Sequence, residues 1–62
     1  MFDLNSLEDL EEKEAIALVK AAGLKCRVVE RNGKPFIVTR DYKTDRVNLH
    51  IAFDKVYKAS IG

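Results

Sequence analysis

"IVTRDYKTDRVNL", residues 37–49, joins two kinds of chain in one stretch. Ile37, Val38 and Thr39 are β-branched and lead into Arg40 and Asp41. A second charged cluster follows at Lys43, Asp45 and Arg46. From there the sequence alternates: Val47, Leu49 and Ile51 fall on one face of a strand, and Arg46, Asn48 and His50 on the other. A polar stretch without periodicity reads as a loop. This one decides the fold, because the strands on either side of it determine how the chain must return.

Upstream, "LKCRVVE" (24–30) reads as a strand, and "RNGK" (31–34) carries an Asn-Gly pair, a strong signal for a tight turn between extended segments. Pro35 cannot donate to a ladder, so "KPFIV" is at best an edge strand. About fifteen residues separate the strand at 24–30 from the strand at 45–51, long enough for a crossover, so this pair fits a parallel arrangement. Downstream, a turn near Phe53 and Asp54 leads to a further strand, "KVYKASI" (55–61).

Toward the N-terminus, "SLEDLEEKEAIALVKAAG" (6–23) predicts a helix, firmest over 10–22. Ser6 or Asp9 is the expected cap, and acidic residues in the first turns suit the helix dipole. Gly23 suits a left-handed C-terminal position. Leu7, Glu11, Ala15, Leu18, Val19 and Ala22 share a side at helical spacing, with Glu11 at its rim. One helix can cover one face of a small sheet, hiding Leu18 and Val19 against Val28, Val47, Leu49 and Ile51. The expected fold class is α+β, a single helix on a small sheet. The expected organisation is one domain over 1–62, with an N-terminal arm at 1–9 and the folded unit at 10–62.

The totals narrow the function. With 62 residues, the chain buries only about 60% of its unfolded surface and has no room for a deep catalytic cleft. The net charge of +1 argues against nucleic acid, which needs a basic patch to neutralise several phosphates. Arg27, Arg31, Lys34, Arg40, Lys43 and Arg46 sharing one region is the only feature favouring it. Cys26 stands alone, which leaves no internal disulfide or multi-cysteine metal site and suits a small apolar side chain. "MFDLNSLEDLEE" is neither a secretory signal nor a membrane span. The expected location is cytoplasmic, or secreted if a native signal has been removed.

Catalytic and metal sites find little support. His50 is the only histidine, without a neighbouring Ser or Cys nucleophile, and suits an exposed or half-exposed strand position. Asp41, Asp45 and Asp54 lack metal-ligand spacing. The expectation is a protein that is not an enzyme, with no metal and no cofactor. Two arrangements fit Arg46. It can stand with Asn48 beneath the loop, its guanidinium fork reaching backbone carbonyls, the Thr39 hydroxyl or the Asp41 carboxylate. Or it can form an exposed ion pair with Asp45 or Glu30, worth about 0–1 kcal/mol.

"VTRDYKTDRVNL" resembles the binding-loop segment of the potato type I serine-protease inhibitors, more closely their small bacterial and fungal relatives. That pattern runs Val-Thr, a variable residue, an acidic residue, an aromatic, a basic residue, then Asp-Arg-Val/Leu. "AAGLKCRVVERNGKPF" is similar to the helix end, first strand and turn of the bacterial members, and the final Ile-Gly to the family's Val-Gly ending. The resemblance spans roughly residues 10–62 and implies the fold, a single helix packed on a small mixed sheet with an extended exposed binding loop. It implies a protease-contact loop of Val38, Thr39, Arg40, Asp41 and Tyr42, within a binding loop at 37–45. Arg40 would be the primary specificity residue and Asp41 the residue after the attacked bond. It implies loop support from Arg46, Asn48 and Gly62, with Asn48 where plant and leech members carry a second arginine. The expected function is a substrate-like serine-protease inhibitor directed at a trypsin-like enzyme, acting as a monomer or weak homo-oligomer, with no membrane partner. The alternative is a non-inhibitory intracellular interaction or self-assembly module on the same fold.

Overall fold

A computed structural model describes residues 3–62. Helix α1 (Glu12–Ala21) packs on a four-stranded sheet formed by β1 (Lys25–Arg31), β2 (Lys34–Pro35), β3 (Arg46–Ala52) and β4 (Lys55–Ile61). The order across the sheet is β2-β1-β3-β4. Strands β1 and β3 are parallel, while β1–β2 and β3–β4 are antiparallel. The fold is therefore α+β with a mixed sheet, and the crossover between the parallel strands contains the segment that opened the sequence.

Turn chemistry explains both hairpins. Asn32 and Gly33 have φ of 52° and 80°, and Phe53 and Asp54 of 53° and 65°. Two successive residues at positive φ match the right-handed twist of flanking strands. The two turns are tied together: the Asn32 amide donates to the Ile51 carbonyl at 2.9 Å, and the Phe53 amide to the Asn32 side-chain oxygen at 2.9 Å. Pro35 holds β2 to two residues on the sheet edge, since its ring nitrogen has no hydrogen to give.

The core lies between helix and sheet. Leu7, Ala15, Val19, Val47, Leu49, Ile51 and Val56 are buried, with Val28, Ile16 and Cys26 packed around them. The alternation read from β3 is complete: Val47, Leu49 and Ile51 point inward, while Arg46, Asn48 and His50 face away from the core and are half-buried. Full burial of each large aliphatic side chain stabilises the fold by about 1.5–3 kcal/mol.

Three expectations at the helical end are corrected. The helix begins at Glu12, and neither Ser6 nor Asp9 caps it; Glu11 occupies the cap position without a side-chain bond. Asp9 adopts φ of 69°, and the Asp9 amide donates to the Val56 carbonyl at 2.8 Å while the Val56 amide donates to Leu10 at 2.9 Å. These bonds draw the chain alongside β4 and delay the helix. Residues 3–9 are consequently not an arm. They include a 3₁₀ turn, Leu4–Leu7, capped by the Asp3 carboxylate and placing Leu7 in the core; Met1 and Phe2 lie outside the described residues. Leu18 is 46% exposed, because Ala15 and Val19 face the sheet and Leu18 stands about 100° round the helix from Val19.

Candidate functional site

The crossover segment, residues 36–45, is exposed along its whole length. Three backbone bonds hold it. The Phe36 amide donates to the Val29 carbonyl at 3.0 Å, the Lys43 amide to Gly62 at 3.4 Å, and the Lys25 amide to the Asp45 carbonyl at 2.8 Å. Ile37 is fully exposed, and Tyr42 is 70% exposed. Arg40 is exposed as well, and the ion pairs among the described residues do not include it.

Beneath the segment, the parallel register sets Lys25 beside Arg46 and Arg27 beside Asn48. With Val47 and Cys26 turned toward the core, Arg46 and Arg27 project from the opposite face. Arg46 is largely enclosed, its side chain 12% exposed. Its Nη2 donates to the Asp41 carbonyl at 2.7 Å, and its Nε to the Gly62 oxygen at 3.1 Å. Nη2 also reaches the Gly62 oxygen. In return the Gly62 amide donates to the Arg46 carbonyl at 3.0 Å. Arg46 is therefore paired with the loop and with Gly62, rather than with Asp45 or Glu30. Charge-assisted bonds of this length are about twice as strong as neutral ones.

Asn48 accepts a hydrogen bond from Arg27 Nε at 2.9 Å. The same guanidinium extends Nη1 toward the Thr39 carbonyl and hydroxyl, both at 3.4 Å, and Nη2 toward Gly62 at 3.5 Å. Gly62 is thus a shared acceptor for two arginines. It also sits close under its neighbours. A Cβ there would lie 2.9 Å from the Asn48 amide nitrogen and 3.7 Å from the nearest Tyr42 ring carbon.

The Asp41 carboxyl is held below its ordinary value of 3.8, first by a hydrogen bond from the Thr39 side chain, then by its own backbone amide and by the charges of Arg46 and Lys43. Those charges lie 3.8 Å and 3.9 Å from its oxygens. Burial pushes the Cys26 thiol up, in keeping with a packed side chain rather than a nucleophile. His50 is half-buried, with Nδ1 3.2 Å from Glu30 Oε1 and its ring edge-on to Tyr57 at 5.8 Å.

The structure brings together Thr39, Asp41, Tyr42, Arg46, Asn48 and Gly62, and leaves Val38 and Arg40 flanking them on the exposed segment. Sequence reasoning missed Arg27 as part of this group. A signal was present: Arg27 lies between the inward-facing Cys26 and Val28, so strand alternation turns it outward. Parallel pairing with β3 then sets it beside Asn48. No protein-family model matches this sequence, and no curated protein or solved structure is significantly similar to it.

Proposed function

We propose that this chain is a substrate-like inhibitor of serine proteases, presenting loop 37–45 with Arg40 at the primary specificity position. One observation carries the reading: an exposed arginine, outside the ion pairs among the described residues, is followed directly by a residue whose carbonyl is fixed from below by Arg46 at 2.7 Å. The order Val-Thr-Arg-Asp-Tyr, which resembles the potato type I inhibitor loop, supports it. A loop already held in one shape loses little entropy on binding, so more of the contact energy appears as affinity.

The chemistry then follows from what is held. The protease serine oxygen bonds to the Arg40 carbonyl carbon, the Arg40–Asp41 bond breaks, and the Asp41 nitrogen takes a proton from the enzyme's histidine. Arg46 retains the Asp41 carbonyl, so the new amine stays in place. It attacks the acyl group, the peptide bond reforms, and the serine recovers its proton. The protein itself contributes no catalytic group, and no metal or cofactor enters.

A second reading, a non-inhibitory interaction or self-assembly module, is favoured by Phe53, which is 89% exposed beside the half-exposed Tyr57 at the far end of the sheet. Titration against trypsin-, chymotrypsin- and subtilisin-like enzymes separates the two. Stoichiometric inhibition of the trypsin-like member is expected. Silence across the panel would favour the module.

A further inference from the structure

Arg27 comes from the strand before the loop, yet it touches both the loop and the anchor that Arg46 uses. The two guanidinium groups divide the loop between them. Arg46 bonds the carbonyl of Asp41, directly after Arg40. Arg27 reaches the carbonyl and hydroxyl of Thr39, directly before it. Both end on the Gly62 oxygen. Asn48 fixes the direction of Arg27 through the shortest bond that this guanidinium makes, 2.9 Å to Nε.

We propose that Arg27, oriented by Asn48, is a positioning residue for the Thr39 side of the loop. The Arg40–Asp41 bond is thereby clamped between two guanidinium groups that share Gly62. The clamp rests on the reading of Arg40 as the residue a protease attacks, and it adds what that reading lacks. Arg46 keeps the departing amine in place, but the bond reforms only if the acyl side stays in place as well. Upstream of Thr39, the next backbone tie is Phe36. Arg27, from β1, supplies the nearer restraint.

The contact lengths rank the two props. Arg27 meets the loop at 3.4 Å where Arg46 meets it at 2.7 Å, so loss of Arg27 has the smaller effect. The planar fork also matters, since a lysine ammonium at position 27 cannot serve Asn48, Thr39 and Gly62 together.

The test pairs a protease-free measurement with a proteolytic one on the full chain. Backbone ¹⁵N order parameters at Val38–Asp41 report the clamp alone. Trypsin cleavage after Arg40, followed by mass spectrometry, reports its use. Arg27→Ala is expected to lower the order parameters and to speed cleavage about tenfold, the effect of roughly 1.4 kcal/mol, and Arg46→Ala more. Arg27→Lys should behave like Arg27→Ala. Asn48→Ala should produce part of the effect, and the double variant should be no worse than Arg27→Ala, because Asn48 acts through Arg27. Should the alanine variant lose its fold, Arg27→Lys carries the same comparison. If wild type fails to inhibit trypsin but the order parameters still fall in Arg27→Ala, the clamp stands and the inhibitory reading falls. If wild type inhibits while Arg27→Ala and Arg27→Lys leave order parameters and cleavage unchanged, the clamp is overturned.

Discussion

Arg46 is the residue on which the loop depends most. Its side chain is largely enclosed and its donors meet two backbone oxygens, Asp41 and Gly62. Arg46→Ala is expected to cost about 1–3 kcal/mol, the range for a lost charged hydrogen-bonding group, read as a lower thermal midpoint. The same variant should be turned over by trypsin as an ordinary substrate, cut after Arg40. Unchanged resistance to cleavage would remove the supporting role. Asp41 yields a second prediction, in which sign matters. Its carboxyl is held below 3.8, chiefly by the Thr39 hydrogen bond. A depressed carboxylate contributes order that is fully present above its ordinary value and lost as pH falls through its own, lower value. The Asp41 carboxyl signal in a ¹³C titration should therefore have its midpoint beneath 3.8, and Thr39→Val should raise that midpoint. A midpoint at or above 3.8 would contradict the Thr39 contact.

At the scale of elements, the two hairpin turns differ in how well their residues suit them. Asn32-Gly33 is a favoured pair at positive φ, whereas Phe53 holds φ of 53° with its ring almost wholly exposed. A left-handed backbone at a non-glycine residue costs on the order of 1 kcal/mol or more, and asparagine bears it better than phenylalanine. Phe53→Asn should raise stability by about 1 kcal/mol in thermal unfolding; a loss would mean that the ring packs where it looks free. The elements also show what a sequence can and cannot convey. Val47, Leu49 and Ile51 alternate, Asn32-Gly33 names its turn, and Pro35 marks its edge, so β3, the hairpin and the short β2 are legible from local chemistry. The helix start is not, because it depends on residues 9–12 running beside β4, and the exposure of Leu18 is not, because it depends on which side of the helix meets the sheet. Arg46 is legible from its strand face. Arg27 becomes legible only with the parallel register, a contact between strands far apart in the chain.

The whole molecule is a thin slab, 29 × 26 × 15 Å, with one aliphatic core and the loop outside it. In a chain of this size a single core rarely supplies more than about 3–5 kcal/mol. Leu49 is fully buried at its centre, and Leu49→Ala should cost about 2–5 kcal/mol, enough to leave much of the population unfolded at room temperature by circular dichroism. None of the loop's residues belongs to the buried core; its shape comes from the arginines below it. Specificity should then lie with Arg40, the exposed charged side chain between the two residues those arginines hold. A guanidinium entering a closed pocket must meet a charge or lose several kcal/mol of hydration, so under the proposed function Arg40 should select pockets that end in a carboxylate. Inhibition constants of the wild type and Arg40→Leu against a trypsin-like and a chymotrypsin-like enzyme test this most directly. The wild type should prefer the trypsin-like enzyme, and Arg40→Leu should weaken that inhibition by at least about a hundredfold while improving inhibition of the other. A wild type without preference, or a preference that survives the substitution, would contradict it.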